Sequence, residues 1–329
     1  MTIKKNLILH NIHKTNQSCN IIFAGTPQFA SYILNKLIYS QHKIKLVITK
    51  PDQKQGRGKK ILFSAVKQTA QNNNISITQP KTLYTKKNYL KLISVQADVM
   101  IVVAYGLLIP TFILKLFPMG CINIHASLLP ELRGAAPIQW AILNNYKYTG
   151  ISTIQMNEKI DSGYIIHQNS CYINKNDTTI NLTKKLCKIS LHTILVTLKK
   201  MHYKYYIPKK QNEKKVTYAP KINKLMGKII FCQHAKKIEQ MTRAFSPWPG
   251  TYIIVNNQKI KIHKVKIIKK KKKYKIGQII KINNQGIQIQ TKKNIIQITK
   301  IQIPGKKIIK ISDFIISNQN IFFINNILI

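Results

Sequence analysis

NIIFAGTPQFASYILNKLIYSQHKIKLVIT, residues 20–49, sets the pattern for the first half of the chain. A β-branched and aromatic run at 20–24 gives way to apolar residues at three- and four-residue intervals through 29–39. A second β-branched run follows at 45–49. These periods read as strand, helix, strand. Strand-like runs at 99–104 and 121–124 continue the alternation, and strands alternating with helices specify a parallel sheet covered on both faces. The expected fold class is α/β, an N-terminal doubly wound, mostly parallel sheet of Rossmann-like form. Such sheets bind ligands beyond the carboxyl ends of their strands.

Residues 149–156 and 164–173 read as two further strands around a turn, and 178–199 suits a long amphipathic helix. The stretch 201–215 is rich in Lys, Tyr and Gln with Pro208, the composition of a linker. Beyond it come short, Ile-rich alternating segments at 251–255, 258–268, 275–282, 286–290 and 294–303. Asn283-Asn284-Gln285-Gly286 marks a turn between two of them. Such a set of short strands suggests a small, OB-like β-barrel, an architecture often used to bind nucleic acid. The division expected is an extension at 1–19, a catalytic domain at 20–200, a linker at 201–212 and a basic β-barrel domain at 213–329.

The formal charge is +45, from 54 Lys and Arg against 9 Asp and Glu, which predicts attraction to a polyanion, nucleic acid before membrane. Lys, Ile and Asn recur throughout, as A- and T-rich coding would also produce, so local clusters at 56–60 and 269–273 say more than the total. Cysteines at 19, 121, 171, 187 and 232 lack CxxC spacing, which points to a reduced protein with no metal site. Apolar runs such as 101–104 fall far short of the roughly 20 residues that span a bilayer. Residues 1–19 have no arginine, no long apolar run and no small-residue cleavage site. They read as a loose extension first; an organellar transit peptide, which their lack of acidic residues also fits, is the lesser alternative because arginine is missing.

The chemistry concentrates where the fourth strand ends. In Cys121-Ile122-Asn123-Ile124-His125 the two-residue period of a strand puts Asn123 and His125 on one face. The following residues hold Gly and Pro without periodicity, so they form a loop at the strand's end. An isolated Asn or His there is as readily a satisfied hydrogen-bonding residue as a functional one. An Asp in a turn, such as Asp161 in Ile160-Asp161-Ser162-Gly163, is more often a local backbone cap.

The unbroken stretch Asn123-Ile124-His125-Ala126-Ser127-Leu128-Leu129-Pro130, followed by Arg133-Gly134-Ala135-Ala136-Pro137, resembles the signature of the folate-dependent formyltransferases. Further blocks are similar to the members of that family that act on aminoacylated tRNA. They are Phe23-Ala24-Gly25-Thr26-Pro27, Gly56-Arg57-Gly58-Lys59-Lys60, Val103-Ala104-Tyr105-Gly106, Thr217-Tyr218-Ala219-Pro220-Lys221, Ala244-Phe245-Ser246-Pro247-Trp248-Pro249 and Pro304-Gly305-Lys306-Lys307. The resemblance implies transfer of a formyl group from 10-formyltetrahydrofolate to the amino group of methionyl initiator tRNA, without a metal, by a monomer in the bacterial cytoplasm. It implies catalytic roles for Asn123, His125 and Asp161, and folate binding by Ser127, Leu128, Leu129 and Pro130; the two leucines could equally be core packing. It also implies that the loop containing Arg57, Lys59 and Lys60 meets the acceptor stem of the tRNA.

The chain departs from the family pattern at Lys159, where Gly is usual, and at Tyr164, where a second acid is usual. It departs again at Glu131, where a basic residue is common, and at Ile230-Phe231, where an Asp-Trp pair often sits. Two other readings fit parts of the sequence: a noncatalytic RNA-binding protein on a decayed formyltransferase scaffold, and a formyltransferase acting on a small amine. The second leaves the basic C-terminal domain unexplained.

Overall fold

The computed structural model describes residues 18–55, 60–270, 273–317 and 321–328. In chain order the first part runs β1 (Asn20–Gly25), α1 (Gln28–Ile38), β2 (Lys43–Ile48), β3 (Gln53–Gln55), β4 (Lys60–Leu62), α2 (Ala65–Asn72), β5 (Ile77–Thr78) and α3 (Lys86–Ser94). It continues through β6 (Val99–Val103), α4 (Thr111–Leu114), β7 (Cys121–His125), α5 (Pro137–Leu143), β8 (Tyr148–Gln155), β9 (Ile165–Tyr172) and α6 (Thr179–His202). Then follow α7 (Ala235–Ala244), β10 (Thr251–Val255), β11 (Gln258–Ile268), β12 (Ile279–Asn283), β13 (Gly286–Gln290), β14 (Ile295–Gln302), β15 (Ile309–Lys310) and α8 (Ile311–Ile316).

The first sheet has the order β5-β2-β1-β6-β7-β8-β9. Strands β5, β2, β1, β6 and β7 are parallel to their neighbours, whereas β8 runs antiparallel to β7. The expected α/β sheet is present, with β7 inside it. Helix α1 forms because Ala30, Ile33, Leu34 and Leu37 recur on one face, and all four are buried. Its neighbour α2 opens on Ser64, whose hydroxyl accepts the N–H of Lys67 at 3.0 Å. One core beside this sheet gathers Ile22, Leu46, Ile48, Met100, Val102 and Tyr105.

The second sheet is antiparallel, in the order β10-β11-β14-β13-β12, with β15 also paired to β14. Its core is built largely of isoleucine, including Ile260, Ile262, Ile279, Ile287, Ile289, Ile296 and Ile298. Along β11 the register shifts between Ile262 and Val265. That irregularity explains why even-numbered Ile260 and Ile262 are buried and then odd-numbered Val265, since an extra residue reverses which parity faces the core.

Two local expectations change. The basic segment that carries Arg57, Lys59 and Lys60, read from the sequence as a loop, begins and ends in strand: Gln53–Gln55 and Lys60–Leu62 form an antiparallel pair, with Gln55 opposite Lys60. Below that pair, the Asp52 carboxylate accepts from Lys67 Nζ and from Gln79 Nε2, the latter at 2.8 Å. The segment expected as a strand over 275–282 is a strand only from Ile279. Of the expected extension, residues 1–17 lie outside the described residues, as do 271–272 of the lysine run.

The chain divides into two compact units. One comprises Met1–His125, Ile151–Asn169 and Cys187–Lys214; the other comprises Ala126–Gly150, Ser170–Leu186 and Lys215–Ile329. Among the described residues, no helix is long and apolar enough to cross a membrane, and no group of His, Cys, Asp and Glu could hold a metal ion.

Candidate active site

Asn123 and His125 stand on β7 as the two-residue period requires, and Asp161 comes to them from the turn at 156–164. Asn123 Nδ2 donates to Asp161 Oδ1 at 2.9 Å. His125 Nδ1 lies 3.5 Å from Asp161 Oδ2. One carboxylate thus faces both side chains, one oxygen to each. His125 and Asp161 are 6% and 10% exposed, little enough that the carboxylate's charge is weakly screened by water. The Asp161 oxygen on the Nδ1 side favours a proton on that nitrogen and leaves Nε2 as the basic one.

The turn that carries Asp161 is held tightly. Asp161 adopts a left-handed backbone, φ 51°, which strains a residue with a Cβ. Its carbonyl oxygen accepts from Gln211 Nε2 at 2.8 Å, and the same nitrogen donates to the Gly163 carbonyl at 2.8 Å. Asn157 Oδ1 accepts from the Lys159 N–H and from Ser162 Oγ at 3.1 and 2.9 Å. Thr111 Oγ1 reaches Glu158 Oε1 at 3.2 Å. Gly163 is required by close approach, since a Cβ there would sit 1.8 Å from the Gln155 carbonyl oxygen.

Lys159 and Tyr164, the two departures in this turn, are both exposed. Cys121 is buried, and burial pushes its thiol up to about 12, so it stays protonated as a packing residue of β7. Burial also pushes the Tyr105 phenol up to about 12.

Of the segment after His125, Ser127 and Leu129 are buried, while Leu128 and Pro130 are partly exposed. The Ser127 hydroxyl donates to the Glu131 carbonyl at 2.5 Å. The next motif pairs with another one far along the chain. Arg133 N–H donates to Thr217 O at 2.9 Å, Ala219 N–H to Arg133 O at 2.7 Å and Ala136 N–H to Ala219 O at 3.1 Å. Gly134 lies at φ 120°, where a Cβ would approach the Ala219 carbonyl oxygen to 2.8 Å. Two blocks quoted separately from the sequence are therefore one backbone ladder.

The structure thus brings Asn123, His125 and Asp161 together. Arg57 and Lys59 lie outside the described residues, and of Lys60 only its place at the start of β4 is described. Sequence reading missed Gln211, which sits in a stretch with the composition of a linker yet is only 5% exposed. No helical or strand period runs through the residues around it to single it out. Gly163 and Asn157 were readable only as turn formers.

A family model described as formyl transferase matches residues 19–198, and one described as formyl transferase, C-terminal domain, matches 221–319. A methionyl-tRNA formyltransferase of Buchnera aphidicola subsp. Acyrthosiphon pisum (strain Tuc7) is 46% identical over 94% of this chain and 98% of its own length. That of Buchnera aphidicola subsp. Baizongia pistaciae is 45% identical over 90% of this chain and 93% of its own. Among solved structures, HypX from Aquifex aeolicus in complex with tetrahydrofolic acid superposes with a TM-score of 0.60 at 13% identity. That match covers 91% of this chain, which spans about half (47%) of HypX. WlaRD, a sugar 3N-formyl transferase, has a TM-score of 0.61 at 23% identity, over 88% of this chain and 100% of its own. The last two show the fold; the family models and the Buchnera relatives show more, and by them this chain belongs to the formyl transferase family.

Proposed function

We propose that the chain is a methionyl-tRNA formyltransferase, moving the formyl group of 10-formyltetrahydrofolate to the amino group of methionyl initiator tRNA. The observation that carries the reading is the single carboxylate of Asp161 facing both Asn123 and His125. When the amine attacks the formyl carbon, negative charge develops on the formyl oxygen. The second N–H of Asn123 Nδ2 is a donor for it, and one such donor is worth about 10²–10³ in rate; His125 Nε2 becomes a second donor once it has taken the proton of the amine. The amine must lose a proton and the departing folate nitrogen must gain one. His125 Nε2 takes the first and returns it to the second, while Asp161 steadies the imidazolium through Nδ1. That cycle balances without a metal.

The assignment of parts follows the same reading: a catalytic domain over 20–200, a linker over 201–212 and a basic domain over 213–329, after an extension at 1–19. Ser127, Leu128, Leu129 and Pro130 hold the folate, and the enzyme acts as a monomer in the bacterial cytoplasm. Arg57, Lys59 and Lys60 meet the acceptor stem; Arg57 has planar donors suited to phosphates and base edges. The basic domain supplies phosphate contacts. There Lys264 pairs with Lys300, and Lys300 with Lys310, three exposed lysines in register across β11, β14 and β15. Like charges set opposite one another destabilise a sheet, and a phosphate backbone relieves that repulsion.

The test incubates the purified protein with the folate donor and either methionyl initiator or methionyl elongator tRNA, comparing wild type with His125→Ala and Arg57→Ala. Formylation of the initiator species alone is expected, lost in the His125 variant and weakened in the Arg57 variant. Binding of tRNA without formylation by the wild type would overturn the reading in favour of a decayed, noncatalytic scaffold.

A further inference from the structure

We infer that Gln211 is a positioning residue for the Asp161 carboxylate, an inference that rests on the catalytic reading of Asp161 given above. Gln211 is buried to 5% exposure. Its amide nitrogen carries two hydrogens, and the carbonyl oxygens of Asp161 and Gly163 each lie 2.8 Å from it. Those carbonyls belong to the 161–162 and 163–164 peptides, so one side chain fixes the first and third peptide planes that follow the Asp161 Cα. The direction of the Asp161 side chain follows from those planes and from its left-handed backbone, φ 51°. That conformation is unfavourable in a residue other than glycine and persists only where its surroundings over-determine it.

The reach of Gln211 is set by its own backbone. Two residues earlier, Lys209 pairs with Ile165 at the start of β9, each N–H donating to the other's carbonyl at 2.8 Å. The strand that leaves the Asp161 turn therefore also anchors the residue that clamps it. No other side chain of similar size substitutes. Asn is one methylene short, Met has no donor, and an ionised Glu would set its lone pairs against those of the two carbonyls. Loss of the clamp lets the turn relax, and a misplacement of about 1 Å in a reacting group costs on the order of 10²-fold in rate.

The experiment measures kcat and both KM values for formylation by wild type, Gln211→Met, Gln211→Glu and Asp161→Asn at several pH values, with thermal melts of each. Gln211→Met is expected to lower kcat by about 10- to 100-fold while leaving KM for the folate and the tRNA within about twofold. Gln211→Glu regains one donor when its carboxyl protonates, so its kcat relative to wild type should rise as pH falls. A packing role alone would give neither the split between kcat and KM nor that slope. Unchanged kcat in Gln211→Met, or a pH-independent ratio for Gln211→Glu, would overturn the inference while loss in Asp161→Asn left the catalytic reading intact. Full activity in Asp161→Asn would overturn that reading, and this one with it.

Discussion

Among the turns that join neighbouring strands, two are held by contrasting means. Between β12 and β13 only Asn284 and Gln285 intervene; Asn283 pairs with Gly286, and Asn283 Oδ1 accepts the Gln285 N–H at 3.1 Å. All of that lies within four consecutive residues. Between β8 and β9 the chain passes through 156–164, and beside the local bonds of Asn157 it takes partners from afar: Thr111 to Glu158, Asn123 to Asp161, Gln211 to Asp161 and Gly163. Short-range bonds suffice to turn a chain around. Holding one carboxylate against both an amide and an imidazole needs partners that converge from separate elements, because only they fix a side chain to within about 0.5 Å.

The largest effect expected from that difference is at Asp161. Asp161→Asn keeps the shape and removes the charge that steadies His125, so kcat should fall by about 10²–10⁴, with the thermal midpoint close to wild type. Single-turnover formylation beside a melting curve reads both. A variant that lost stability in step with activity would make this turn a structural device like the other, and the contrast would fail.

Gly163→Ala tests whether the turn is rigid because it is crowded. The added Cβ would lie 1.8 Å from the Gln155 carbonyl oxygen and 2.8 Å from its carbon, both backbone atoms that cannot swing aside. The backbone must move, at a cost of about 1–3 kcal/mol by analogy with overpacked cores, and Asp161 moves with it. A fall in kcat of tenfold or more per folded molecule is expected. Lower stability with kcat preserved would show that the carboxylate is placed independently of the backbone around it.

The same contrast explains what could be read in advance. The β12–β13 turn was legible because Asn-Asn-Gln-Gly carries its own partners, and the parallel sheet of the first half, though not its strand order, followed from the alternation of periods. Asn123 and His125 shared a face by strand period alone, and Asp161 joined them only through a family likeness, since nothing local distinguishes it from a turn cap. Gln211 was invisible because its partners lie 50 and 48 residues away and its neighbours have the composition of a linker. The strands flanking 56–59 escaped notice for another reason: their Lys and Gln content hides the two-residue period that marks a half-buried strand.

The smallest effect is expected where the bonds are most local. Asn283→Ala removes the acceptor for the Gln285 N–H, but Asn284 and Gln285 are exposed, so water replaces what is lost. The cost should be about 0.5–1 kcal/mol of stability, the net value of one hydrogen bond, read as a shifted urea midpoint at unchanged slope. The formylation rate should match wild type, because the hydrogen bond removed lies within the turn's own four residues. If the variant instead lost activity at full stability, a turn with purely local bonds would be coupled to the chemistry. Convergence of distant partners would then not be what separates a turn that holds a reacting group from one that only reverses the chain.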